Sequence, residues 1–162
     1  FGIEIKYLEE QKRLGTAGSL SLIDLELDEP FFVTNGDVLS SLNYDKLLEF
    51  HCDNKSMATM CVRKESYQVS QGVIESDESN NLVSLVEKPI NEFFINTGIY
   101  LFDPSVLNYV PKNELFNTTS LFELLKTHNK ILKTYEISDY WIDMGLPSDY
   151  AELNEVLKNH KL

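Results

Sequence analysis

Two aspartates stand where a metal-dependent reaction would need them. Asp37 closes the run FFVTNGD and Asp143 sits in YWIDMGLP, each an acid after bulky apolar residues, at the expected end of a strand. Ligands bind outside the carboxyl ends of strands in open α/β sheets, so a carboxylate there can hold a cation. Mg²⁺ suits such a pair, because it takes one or two carboxylates and fills its other positions with water and substrate phosphate. For Asp37 the alternative is that Asn35-Gly36 is only a turn and the acid bonds its own loop. Glu87-Lys88-Pro89 offers an acceptor for sugar hydroxyls and an ammonium for a phosphate, or else a surface acid-base pair. Gly15 and Gly18 bracket LGTAGSL, a junction whose unpaired backbone N–H groups at a helix start could meet a nucleobase edge or a phosphate. The plainer alternative is a helix with Thr16 as N-cap. Asn96-Thr97-Gly98 places small polar groups inside an apolar strand, either facing a ligand or serving a bulge.

Other chemistries find less support. His51, His128 and His160 show no metal-ligand spacing, and no G-x-S-x-G elbow supports a serine nucleophile. The 8 Tyr and 9 Phe are scattered as core packing would place them, without the interleaved basic residues of a stacking platform for nucleic acid.

Short apolar strands alternating with amphipathic helices position these groups, an order that predicts an α/β domain. Ile3, Ile5 and Tyr7 alternate as in a core strand, and Ala17, Leu20, Ile23 and Leu27 recur at helical spacing. Phe31-Phe32-Val33 predicts a buried strand, Asn43 can cap a helix carrying Tyr44, Leu47, Leu48 and His51, and residues 57–62 form an apolar strand. GVIES and NLVSLVE flank the polar DESNN, the pattern of a β-hairpin. FFINTGIYLFD predicts a long strand, followed by helical stretches through Val110 and over 119–126. ILKTYEI and YWIDM predict two last strands, and Pro147 opens a final helix.

The 162 residues suffice for one domain, and no internal boundary is visible, so 1–162 reads as a single domain. No apolar run approaches a membrane span. A formal charge of −12, from 14 basic and 26 acidic residues, repels a phosphate backbone, so no nucleic-acid partner is expected. Cys52 and Cys61 lack the pattern of a disulfide scaffold, which makes a reducing cytoplasm the expected location. Phe1 opens the chain inside what reads as a strand, suggesting part of a longer protein.

Taken in order, LGTAGSL (14–20), FFVTNGD (31–37), GVI (72–74), VEKP (86–89), NTGIYLF (96–102) and WIDMG (141–145) resemble the sugar-phosphate nucleotidyltransferases. The mannose-1-phosphate guanylyltransferase-like branch is the most similar, including members with a regulatory CBS-domain pair ahead of the transferase. The resemblance implies a Rossmann-like α/β sandwich with a mixed sheet and a β-hairpin insert. It also implies that Leu14, Gly15 and Thr16 contact the nucleobase and that Asp37 and Asp143 hold the catalytic Mg²⁺. Glu87 and Lys88 would bind the sugar and its phosphate, with Lys88 counted among the catalytic groups, and Gly72 and Asn96 would line the sugar pocket.

The chain has Gln71 where the family often has an aromatic residue, and Leu146 where it often has Thr. The family's opening G-x-G-T-R loop and Pro-Lys-Pro segment have no counterpart, so the chain reads as the C-terminal part of an N-terminally truncated domain, inactive alone. The implied reaction of the full-length protein joins a nucleoside triphosphate and a sugar 1-phosphate into an NDP-sugar, a GDP-sugar by the branch, and pyrophosphate. A homo-oligomer is compatible with this reading. The alternatives left open are a non-catalytic sugar-nucleotide-binding homologue and a metal-dependent glycosyltransferase.

Overall fold

The structure, a computed structural model, describes residues 2–145, and the helix expected from Pro147 onward lies outside them. The strands are β1 (Phe31–Thr34), β2 (Val38–Ser40), β3 (Ala58–Gln68), β4 (Val73–Ser76), β5 (Leu82–Val86), β6 (Ile90–Phe102), β7 (Leu132–Glu136) and β8 (Trp141–Asp143). The helices are α1 (Gly15–Gly18), α2 (Tyr44–Asp53) and α3 (Thr118–Thr127), with 3-10 turns at Ser19–Leu22 and Pro104–Tyr109.

The main sheet runs β1-β6-β3-β7; β1 and β3 are antiparallel to β6, and β7 is parallel to β3. The mixed sheet is as expected. The inner half of β6 is buried on both faces, which explains its unbroken apolar run. Ile99 and Leu101 pack with Leu47 of α2, while Tyr100 and Phe102 pack with Leu121 and Leu125 of α3. One helix therefore covers each face of the sheet. Asn43 caps α2 as expected, its Oδ1 accepting from Lys46 N at 3.0 Å. Hairpin β4–β5 is also as expected, its loop closed by the Asp77 carboxylate, which accepts from Ser79 and Asn81.

Three expectations are corrected. Residues 2–10 form no strand, and Ile3, Ile5 and Tyr7 are 71%, 61% and 88% exposed. Alternation alone does not make a strand; a ladder partner is needed, and none is present among the described residues. The helix expected across Ala17 to Leu27 ends at Leu22: after α1 the chain tightens into a 3-10 turn, and Ile23 is extended. Strand β1 is half-buried in alternation rather than buried throughout, since it forms an edge of the main sheet. No helix among the described residues is long and apolar enough to cross a membrane.

Candidate functional site: a bulge that gathers the acidic loops

The strand β6 is irregular where its sequence turns polar. Met60 faces Tyr100 and Val62 faces Asn96, so Thr97, Gly98 and Ile99 stand against Cys61 alone. The extra residues bulge outward, and Thr97 Oγ1 donates to Cys61 O at 2.9 Å to hold the bulge against β3. Asn96 Oδ1 accepts from Gly98 N at 3.0 Å. Gly98 has φ +73°, and a Cβ there would lie 2.6 Å from Asn35 Nδ2. Only glycine fits both the conformation and the approach.

This bulge binds both acidic loops. Asn35 N donates to Gly98 O at 2.9 Å, and Trp141 Nε1 donates to Thr97 O at 2.9 Å. The segments carrying Asp37 and Asp143 then pair with each other: Val38 faces Asp143 in the β2–β8 ladder, and Met144 N donates to Asp37 O at 2.9 Å. Asp37 is the turn residue just before β2, and its neighbour Val38 is the ladder partner of Asp143, so the two acids stand on adjacent backbones. Both are exposed, and neither makes an ion pair among the described residues. Two uncommitted hard oxygen donors on adjacent backbones fit Mg²⁺. Among the described residues no group of three or more His, Cys, Asp or Glu offers a fuller cage, so water and phosphate would have to supply the other ligands.

The LGTAG junction differs from expectation. Its N–H groups are not open: Thr16 N donates to Asn117 Oδ1 at 3.3 Å, and those of Ala17 and Gly18 go to Phe116 O. Leu14 is buried, with its carbonyl accepting from Phe116 N at 2.7 Å. Gly15 has φ +79°, and a Cβ would strike Asn117 Oδ1 at 2.6 Å, so the glycine serves close approach to the segment before α3. Thr16 does not cap its own helix; its Oγ1 accepts from Thr118 N at 2.9 Å and caps α3. A ligand at this junction would meet Thr16 and the edge of Gly15, not a row of free donors.

Gly72, Glu87 and Lys88 lie on a separate arm, where β3 and β6 continue past the helices and carry hairpin β4–β5. A Cβ on Gly72 would meet Glu87 Oε2 at 3.0 Å, so these two are together. Glu87 and Lys88 are both exposed, Lys88 has φ +48°, and neither makes an ion pair among the described residues. No hydrogen bond among the described residues joins this group to Asp37, Asp143 or Thr16. His51 is 2% exposed and bonded to Thr59 Oγ1 at 2.8 Å, a packing role.

Residues 1–160 match the nucleotidyl transferase family. The chain belongs to that family. It is 34% identical over 155 residues to the Drosophila melanogaster mannose-1-phosphate guanylyltransferase catalytic subunit beta, covering 92% of this chain and 42% of that protein. It is 34% identical over 158 residues to the mannose-1-phosphate guanyltransferase of Candida albicans, covering 93% of the chain and 43% of the relative. The chain thus spans less than half the length of these curated relatives. HddC from Yersinia pseudotuberculosis superposes with a TM-score of 0.64 at 26% identity, over 91% of this chain and 64% of HddC; that protein was also solved with GMP-PN.

Sequence reasoning missed several groups that build this candidate site. Asn35 and Trp141 fix the acidic loops to the bulge, and Asn117 and Thr118 clamp the LGTAG junction. Tyr100 Oη accepts from Asn96 Nδ2 at 2.7 Å. Asn35 and Trp141 were visible as neighbours of the acids. The Thr16–Thr118 contact spans 102 positions and left no local signal.

Proposed function

We propose that the protein carrying this chain condenses a nucleoside triphosphate with a sugar 1-phosphate to give an NDP-sugar and pyrophosphate, with GTP and mannose 1-phosphate as the first substrates to test. The observation that carries the reading is the bulge at Thr97-Gly98, which bonds both acidic loops beside Asn96 in a chain one-third identical to mannose-1-phosphate guanylyltransferases. A phosphate oxygen of the sugar phosphate attacks the α-phosphorus in line, and the bond to the leaving pyrophosphate breaks with its electron pair. No protein nucleophile is required, so the chain's contribution is positioning and charge.

Asp37 and Asp143 would hold Mg²⁺, which when bound neutralises charge on the phosphates. Lys88, an unpaired ammonium among the described residues, holds the sugar phosphate, and Glu87 and Asn96 accept and donate to sugar hydroxyls beside Gly72. Thr16, Gly15 and Leu14 form the base side, with Thr16 the group that reaches the surface. The −12 charge makes cations necessary for two phosphate substrates and disfavours nucleic acid. Two free thiols fit a cytoplasmic location.

The test is pyrophosphate release by the full-length protein across a panel of nucleoside triphosphates and sugar 1-phosphates with Mg²⁺. Release that requires one triphosphate, one sugar phosphate and the metal supports the reading. Absence of release with every pair would overturn it.

A further inference from the structure

The tryptophan that begins β8 is held from two sides, and the bulge supplies only one of them. Trp141 Nε1 donates to Thr97 O at 2.9 Å, which ties the edge of the indole to β6. Arg63 of β3 supplies the other: its Nη1 donates to the Trp141 carbonyl at 3.4 Å, and its guanidinium carbon lies 6.0 Å from the centre of the indole ring. Glu65 Oε1 stands 3.3 Å from Arg63 Nε and holds the other edge of the guanidinium. Each contact alone is weak, but a planar guanidinium makes all three at once. Arg63 sits where β3 leaves the packed region: Cys61 and Val62 are buried, Arg63 is half-buried, and Lys64 to Gln68 are exposed. Among the described residues no other side-chain hydrogen bond joins this outer part of β3 to the β2–β8 ribbon.

We infer that Arg63 is a positioning residue for the cation site: its guanidinium covers the Trp141 indole, holds the Trp141 carbonyl, and so fixes Asp143 where it can share a cation with Asp37. This rests on the metal assignment proposed above. Trp141 and Asp143 are two apart in a three-residue strand and stand on the same face of it, so a shift of Trp141 reaches the carboxylate through one short length of backbone. Removing a group that orients a metal ligand typically costs about 10- to 100-fold in metal affinity, and Arg63, acting through the backbone, belongs at the lower end. A rival role is purely apolar, with the Arg63 stem shielding the indole and the charge idle. The two differ in what methionine can replace.

The experiment titrates Mn²⁺ into the full-length protein with saturating α,β-methylene GTP, an analogue that cannot be cleaved between the α and β phosphorus atoms, and reads the bound ion by electron paramagnetic resonance. Arg63→Met keeps an apolar stem over the indole and removes every N–H donor. It should weaken Mn²⁺ about tenfold, with the melting temperature of the metal-free protein little changed. Arg63→Lys, which restores a charged donor without the planar stack, should recover part of that loss. Arg63→Gln, which lacks the charge, should weaken Mn²⁺ as Arg63→Met does, and it serves as the independent variant if Arg63→Met does not fold. Wild-type Mn²⁺ affinity in Arg63→Met or Arg63→Gln, or a loss that Arg63→Lys does not relieve, overturns the positioning role and leaves the metal assignment standing. A wild-type protein whose Mn²⁺ binding is unaffected by Asp143→Asn defeats the metal assignment, and the positioning role with it.

Discussion

The bulge of β6 and the arm beyond it are consecutive stretches of one strand with opposite surroundings. From Thr97 to Phe102 every residue is buried, and the bulge is bonded to β3, to the Asn35 loop and to Trp141. From Ile90 to Phe94 every residue is exposed, including the large apolar Ile90, Phe93 and Phe94, and the hairpin attached there is exposed on both faces. The acidic loops are fixed by the first region. Gly72, Glu87 and Lys88 ride on the second. The lesson is that the proposed metal side is preorganised by hydrogen bonds, whereas the proposed sugar-phosphate side depends on an arm with few packing partners.

Breaking the fixed side should cost most. Asp37→Asn or Asp143→Asn in the full-length protein should lower pyrophosphate release by about 10²-fold or more with the melting temperature little changed, as for loss of a preorganised electrostatic group. Gly98→Ala should follow, because its Cβ would push the Asn35 side chain from 2.6 Å and the left-handed backbone costs a non-glycine residue about 1–2 kcal/mol. The expected result is a fall in kcat of about tenfold or more, with a lower melting temperature.

On the arm, Lys88→Ala should raise the KM for the sugar 1-phosphate about tenfold and leave that for the triphosphate unchanged, since it removes a charge-assisted contact to one substrate. Equal changes in both would place Lys88 elsewhere. The smallest effect is thermodynamic and probes the packed region from beneath. Burial lowers the His51 pKa, and nearby Asp103 only partly raises it again. The folded state therefore binds this proton less readily than the unfolded chain. His51 contributes stability above about pH 6.5 that is lost as pH falls through its folded value. Denaturant midpoints at descending pH should show this loss in wild type, and His51→Gln should remove that component of the slope.

Local signals made much of this fold legible. The Asn43 cap, the β4–β5 hairpin and the two-face burial of β6 follow from capping chemistry, turn residues and apolar runs. The residues of the proposed site were nameable from their types and motif order. The long-range contacts were not legible. The N–H groups of LGTAG read as open because nothing near them in sequence announces Phe116 and Asn117. Ile3, Ile5 and Tyr7 carry a strand's alternation, yet pairing depends on a neighbour the segment cannot specify. The Asn96-Thr97-Gly98 run left bulge and ligand site as alternatives, and the structure shows the bulge without removing Asn96 from the surface.

The central claim is that Asp37 and Asp143 act as one cation site because the β6 bulge holds both loops. Mn²⁺, a spectroscopically visible substitute for Mg²⁺, can be titrated into the full-length protein with saturating α,β-methylene GTP and followed by electron paramagnetic resonance. Wild type should show a bound Mn²⁺ that either Asp37→Asn or Asp143→Asn alone removes or weakens about tenfold or more. Retention of wild-type Mn²⁺ affinity by either single variant would contradict the account.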